Sequence, residues 1–91
     1  MKLSIVSPVY KAEKTVEKLC ARIIESIPSD FDTYEILLID DCSPDKSWQK
    51  ILELSQANEK ITGIKLSRNF GQHYAIKAGL DESSGDWVVV M

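Results

Sequence analysis

The sequence predicts an α/β fold: a Rossmann-like, three-layer α/β/α arrangement around a four-stranded parallel sheet in the order 3-2-1-4. Three observations lead there. Apolar runs and amphipathic stretches alternate without exception as strand, helix, strand, helix, strand, helix, strand, the pattern of a parallel sheet. The second apolar run, "YEILLID" at 34–40, is nearly continuous, as a strand covered on both faces must be. Right-handed crossovers then leave few topologies. Three strands wound one way, with the fourth returning beside the first, give 3-2-1-4.

Each element has its own signal. "LSIV" at 3–6 reads as a strand ending at Ser7-Pro8. From Lys14 to Ile27, Val16, Leu19, Cys20, Ile23, Ile24 and Ile27 recur at helical spacing and form one apolar stripe. Pro28 and "SDFD" close that helix. After the second strand, Ser43 suits a helix cap, with Pro44 at the first position and Asp45 in the first turn. Trp48, Ile51, Leu52 and Ser55 would face inward, and this helix fades near Asn58. "ITGIKLS" at 61–67 is the third strand, "RNFGQ" a loop, and 72–83 the third helix, where Ala75 and Gly79 allow close packing on a sheet. "WVVVM" at 87–91 is the fourth strand.

Composition narrows the function. Ninety-one residues make one small domain with a modest core. With 44% hydrophobic and 27% charged residues, the chain is an ordinary globular sequence rather than a disordered one. Fourteen acids against eleven bases give a net charge of −3. That balance argues against a general nucleic-acid surface. The first ten residues do not make a signal peptide, and no run approaches the roughly 18 apolar residues of a membrane span. Cys20 and Cys42 fit neither a CxxC nor a zinc spacing. Two reduced thiols and a cytoplasmic location are the expectation. The charges Glu13, Lys14, Glu17 and Lys18 read as a solvated helix side with i,i+4 pairs.

The unusual stretches fall together. In a 3-2-1-4 sheet the switch point lies between strands 1 and 4, beyond their carboxyl ends, where such sheets take ligands. "SPVYKAE", "DDCSPD" and "SRNFGQH" follow strands 1, 2 and 3, so all three lie on that rim. Neither GxGxxG nor GxxxxGK[ST] is present, so this is neither a dinucleotide fingerprint nor a P-loop. Pro8 fixes the backbone leaving strand 1, and Tyr10 offers a flat face and a hydroxyl. Asp40 or Asp41 could accept a proton from a base edge. Arg68 brings a fork suited to phosphate, and Asn69 and Gly71 let the backbone turn close to a ligand. Each has a plainer reading, as turn, helix cap or solvated loop. Their convergence on one rim favours a nucleotide pocket. His73 reads as an exposed or capping histidine, and Trp48 as packing between helix and sheet.

These residues are also familiar as a set. "LSIVSPVYKAEKTVEKL", "YEILLIDDCSPD" and "IKLSRNFGQHYAIKAGLDESSGDWVVVM" resemble the start of family 2 glycosyltransferases, in order and over the whole chain. The likeness leans to the branch of dolichyl-phosphate mannose synthases and undecaprenyl-phosphate sugar transferases. It implies a GT-A fold whose first half binds a nucleotide-diphosphate sugar of uridine or guanosine type. Pro8 and Tyr10 would wall the nucleoside pocket, Asp41 would hold the base edge, and Asp40 would support the loop. Arg68, Asn69 and Gly71 would lie near the nucleotide and diphosphate. Implied acceptors are a polyprenyl phosphate or a growing polysaccharide. Members of the lipid-phosphate branch commonly read Tyr-Asn-Glu where this chain has Tyr10-Lys11-Ala12, so an acidic contact is absent or comes from Glu13.

The family's Asp-x-Asp motif, which binds Mg or Mn with the diphosphate, normally follows the strand matching "WVVVM". Residues 1–91 are therefore expected to be the nucleotide-binding portion, ending before that motif, with no catalytic or metal residues and no transfer activity alone. Membrane attachment would come only through segments outside 1–91, and an open fourth strand invites a homodimer. Two other classes stay open: a receiver-like signalling domain, suggested by a strand ending in Asp-Asp, and a non-catalytic nucleotide-binding or assembly module. A receiver carries that pair after its first strand, whereas here it follows the second.

Overall fold

The computed structural model describes all residues, Met1–Met91. Seven elements alternate: β1 (Lys2–Val9), α1 (Val16–Ser26), β2 (Thr33–Asp40), α2 (Ser47–Ala57), β3 (Ile61–Lys65), α3 (Gln72–Glu82) and β4 (Trp87–Val90). They form one parallel sheet in the order β3-β2-β1-β4. The predicted α/β class and strand order are those observed.

Strand β2 explains the layering. Ile36 to Asp40 are buried without a break, and successive side chains enter opposite cores. Ile36 and Leu38 join Val16, Cys20 and Ile23 of α1 and Ile51 of α2 on one face. Leu37 and Ile39 join Val6, Leu66 and Ala75 of α3 on the other. Close contact on the second face depends on Gly79, where a Cβ would collide with Val6 and Ile39. Trp48 packs against the first core, as the sequence suggested.

Several boundaries differ from expectation. β1 continues through Pro8 to Val9. Met91 N donates to Val6 O and Asp41 N to Val9 O, so alternate residues of β1 bond to alternate sides. Pro8 therefore faces the β4 side beyond the Val6–Val90 pair, where its missing N–H breaks no ladder bond. Helix α1 begins at Val16 rather than Lys14, and Ile24 lies at the margin of the stripe, partly exposed. α2 begins at Ser47, so Ser43 and Pro44 are not its cap and first residue; both lie in the loop before it. Leu52 is exposed and Leu54 packs inward in its place. β3 ends at Lys65, two residues early. Glu13, Lys14, Glu17 and Lys18 take no part in the four ion pairs. Glu13–Glu17 and Lys14–Lys18 are like-charged at i,i+4, and Glu13 and Lys14 precede the helix, so the expected i,i+4 pairs do not form.

At the amino ends of the strands, Glu35 ties β2 to the segment entering β4. Its Oε2 accepts from Ser4 Oγ at 2.5 Å and Ser84 N at 2.7 Å, and its Oε1 lies 3.5 Å from Lys2 Nζ. Burial opposes ionisation of Glu35, but the Ser4 and Ser84 hydrogen bonds and Lys2 together hold its carboxyl below the usual range. No helix is long and apolar enough to cross a membrane.

Two stability effects follow. Gly79→Ala adds a Cβ with no room; overpacking of about 1–3 kcal/mol outweighs a helix-propensity gain of about 1 kcal/mol, so the urea midpoint falls. Glu35 has a folded pKa below its unfolded one, so its stabilisation is present above the unfolded value and lost as pH falls through the folded value. Glu35→Gln should lower the melting temperature at neutral pH and flatten its decline on acidification.

Candidate functional site

The carboxyl ends of the strands carry three loops, and the buried end of β2 organises them. Asp40 and Asp41 are both buried. Such charges persist inside a protein only with hydrogen-bond partners, and backbone N–H groups supply them. Ser43 N donates to the two oxygens of Asp40 at 3.3 and 3.4 Å, folding the loop back through Cys42 in a left-handed conformation (φ 55°). Phe70 N and Gly71 N donate to Asp41 Oδ1 and Oδ2 at 3.0 and 3.1 Å. Asp41 thus fixes the β3–α3 loop, where Gly71 takes φ 100°, a region open chiefly to glycine.

The loop before α2 also reaches the first turn. Lys11 N, Ala12 N and Glu13 N donate in succession to Ser43 Oγ (3.0 Å), Ser47 Oγ (2.7 Å) and Asp45 Oδ2 (3.4 Å). Ser47 Oγ and N in turn donate to Asp45 Oδ1 at 2.6 and 3.0 Å. The Ser47 hydroxyl is the main cause that holds the Asp45 carboxyl below its ordinary range, against a smaller opposing effect of desolvation. Sequence reading gave Ser43 and Asp45 to helix capping and missed this contact between loops, because such pairing depends on the strand order rather than on spacing.

Between these loops lies an open hollow of about 280 Å³, lined by Pro8, Val9, Tyr10, Asp41, Gln72 and Met91. It sits at the switch point, between the ends of β1 and β4. Of the residues singled out in the sequence, Pro8, Tyr10 and Asp41 come together here. Asp40 lies beneath, and Arg68 and Asn69 are exposed on the adjoining loop with Gly71. The Arg68 guanidinium lies 4.8 Å from the Phe70 ring centroid, and Phe70 stacks on Tyr74 at 4.5 Å. Gln72 was not anticipated. Its amide, able to donate and accept, is placed by the turn at Gly71, and a glutamine opening a helix gives no signal in sequence. His73 is exposed.

The chemistry available is recognition. Each Asp41 oxygen spends one acceptor position on a backbone N–H and keeps capacity for another. Tyr10, 45% exposed, presents a ring that neither core absorbs. An aromatic face beside a carboxylate and an amide suits a planar, hydrogen-bonding ligand. The residues do not form a metal site: no three His, Cys, Asp or Glu side chains cluster where they could hold an ion.

Comparison with known proteins gives the chain a family. Residues 4–91 match glycosyl transferase family 2. This chain belongs to that family. It is 39% identical over 89 residues to an uncharacterized glycosyltransferase of Synechocystis, which covers 98% of the chain and 28% of that relative. Family 2 membership extends to three dimensions. TarS of S. aureus superposes on the whole chain with a TM-score of 0.81 at 26% identity, and has been solved with UDP and with UDP-GlcNAc. The chain spans 27% and 26% of those two TarS chains. A Pyrobaculum calidifontis mannosyltransferase, solved with GDP-Man and Mn2+, shares the fold at 19% identity, with a TM-score of 0.80 over 94% of this chain and 25% of its own. The GT-A fold expected from the sequence is thus the observed one.

One consequence concerns the rim itself. Asp41→Asn replaces one carboxylate acceptor with an amide donor facing a backbone N–H. Losing a charged, buried hydrogen bond costs about 1.5–3 kcal/mol. Amide hydrogen exchange at Phe70 and Gly71 should quicken by one to two orders of magnitude, roughly the factor that cost implies, while amides of β2 keep their protection.

Proposed function

We propose that residues 1–91 are the nucleotide-binding portion of a glycosyltransferase that moves a sugar from a nucleotide-diphosphate sugar to an acceptor. One observation carries the reading: Tyr10, Asp41 and Gln72 converge in a single hollow at the switch point. Stacking on Tyr10 would hold the base, and Asp41 would accept its imide or amino proton. Pro8 would close the wall, and Gln72 would face a base carbonyl or a ribose hydroxyl. Arg68, Asn69 and Gly71 adjoin the hollow, and there Arg68 would meet the diphosphate after leaving the face of Phe70. The likeness to TarS, solved with UDP and UDP-GlcNAc, favours a uridine nucleotide over a guanosine one.

The donor's sugar would project beyond the hollow toward the rest of the enzyme, with the acceptor. A polyprenyl phosphate or a growing polysaccharide is the acceptor class the resemblance suggests. Mg or Mn would serve the whole enzyme, where a cation offsets charge on the leaving diphosphate. The outer edge of β4, unpaired in this sheet, is where a second copy would add.

Titration of the chain with UDP and GDP by calorimetry tests the reading. UDP should bind saturably, and more tightly than GDP. Tyr10→Ala should weaken it by about 1–3 kcal/mol, the range for aromatic–base stacking, while Tyr10→Phe keeps most of the affinity. A severe loss with Phe would transfer the role from the ring to the hydroxyl, and indifference to Ala would remove the base from this hollow.

A further inference from the structure

We propose that Asp45 and Ser47, with Ser43, act as positioning residues for the nucleotide site: they clamp the turn that carries Tyr10 and so set where its ring stands. The proposal rests on the nucleotide-binding reading above. A turn leaving a parallel strand strips its N–H groups of ladder partners, and such groups must find acceptors elsewhere. Here three consecutive donors, Lys11, Ala12 and Glu13, are all taken by side chains of one other segment, the loop before α2 and that helix's first residue. The turn is also strained: Lys11 holds φ 53°, a left-handed conformation that a side chain disfavours. Contacts from outside the turn are therefore needed to keep it.

Ser47 is the pivot. It is fully buried, donates its only hydroxyl proton to Asp45 and accepts from Ala12. These two hydrogen bonds fix its rotor in one orientation. Asp45 uses one oxygen to fix Ser47 and the other to take Glu13 N. Beginning α2 would need only the bond from Ser47 N to Asp45; the bonds to three donors of a different loop serve the turn. Tyr10 stands immediately before the clamped residues. Its ring packs against neither core, and its aromatic contact is with Lys11, whose Nζ lies 5.4 Å from the ring centroid. Backbone placement, rather than side-chain packing, then determines the ring's position. The depressed Asp45 pKa agrees with a carboxylate committed as an acceptor.

A double-mutant cycle read in nucleotide affinity tests this, because a purely structural role would not couple to Tyr10. The chain is titrated with UDP, and in parallel with GDP, as wild type, Tyr10→Ala, Asp45→Ala and the double variant, each checked for folding by circular dichroism. Asp45→Ala should weaken binding by roughly tenfold in the wild-type background and by less than about twofold once Tyr10 is alanine. Equal losses in both backgrounds, or none in either, would overturn the clamp while leaving the nucleotide reading intact. Absence of binding by the wild type, or full affinity in Tyr10→Ala, would overturn both. If Asp45→Ala does not fold, Ser43→Ala replaces it: this half-exposed position frees only Lys11 N. It should show the same coupling at smaller size, and additivity there would equally reject the proposal.

Discussion

Two adjacent carboxylates at the buried end of a strand impose the constraint on which the rest of the rim depends. Asp40 and Asp41 are buried where β2 leaves them, so loops must bring N–H groups to them. Asp40 folds the β2–α2 loop back on itself, and Asp41 reaches across to hold the β3–α3 loop. The β2–α2 loop, once folded, presents Ser43, Asp45 and Ser47 to the turn after β1. All three loops of the hollow are thus organised by one strand end. Two adjacent acids at a strand end become, in the fold, a set of tethers.

Much of this was legible because it depends on local pattern. The nearly continuous apolar run "YEILLID" announced a strand between two helical layers, and Ala75 and Gly79 announced the close approach of α3. Strand order followed from crossover handedness, and with it the gathering of three loops on one rim. Contacts across the chain were not legible. Ser43-Pro44-Asp45 has the composition of a helix start, yet α2 waits until Ser47 because the side chains of Ser43 and Asp45 are engaged by the first turn. Gln72 enters the hollow through a backbone turn at Gly71 that spacing does not encode. Leu54 packs inward and Leu52 does not because, at helical spacing, Leu54 lies nearer the face set by the buried Ser47 and Ile51, and the burial of a serine is not announced by the apolar pattern.

The opposite end of the sheet shows that a carboxylate tied into a network is not by itself a sign of function. Glu35 is held by Ser4, Ser84 and Lys2, and a hollow of about 320 Å³ adjoins it. Its Oε2 accepts three hydrogen bonds and its Oε1 faces an ammonium, so little acceptor capacity is left for a ligand. Asp41 is more deeply buried but less consumed, with one N–H on each oxygen and an aromatic ring and an amide sharing its hollow. Remaining capacity, directed into a space that also offers a stacking surface, separates the two. By that criterion the amino-end network serves the fold, and the carboxyl-end network serves the fold while keeping capacity for the nucleotide we propose. A carboxylate thus keeps different acceptor capacity at the two ends of β2, and the difference lies in what its partners leave unused.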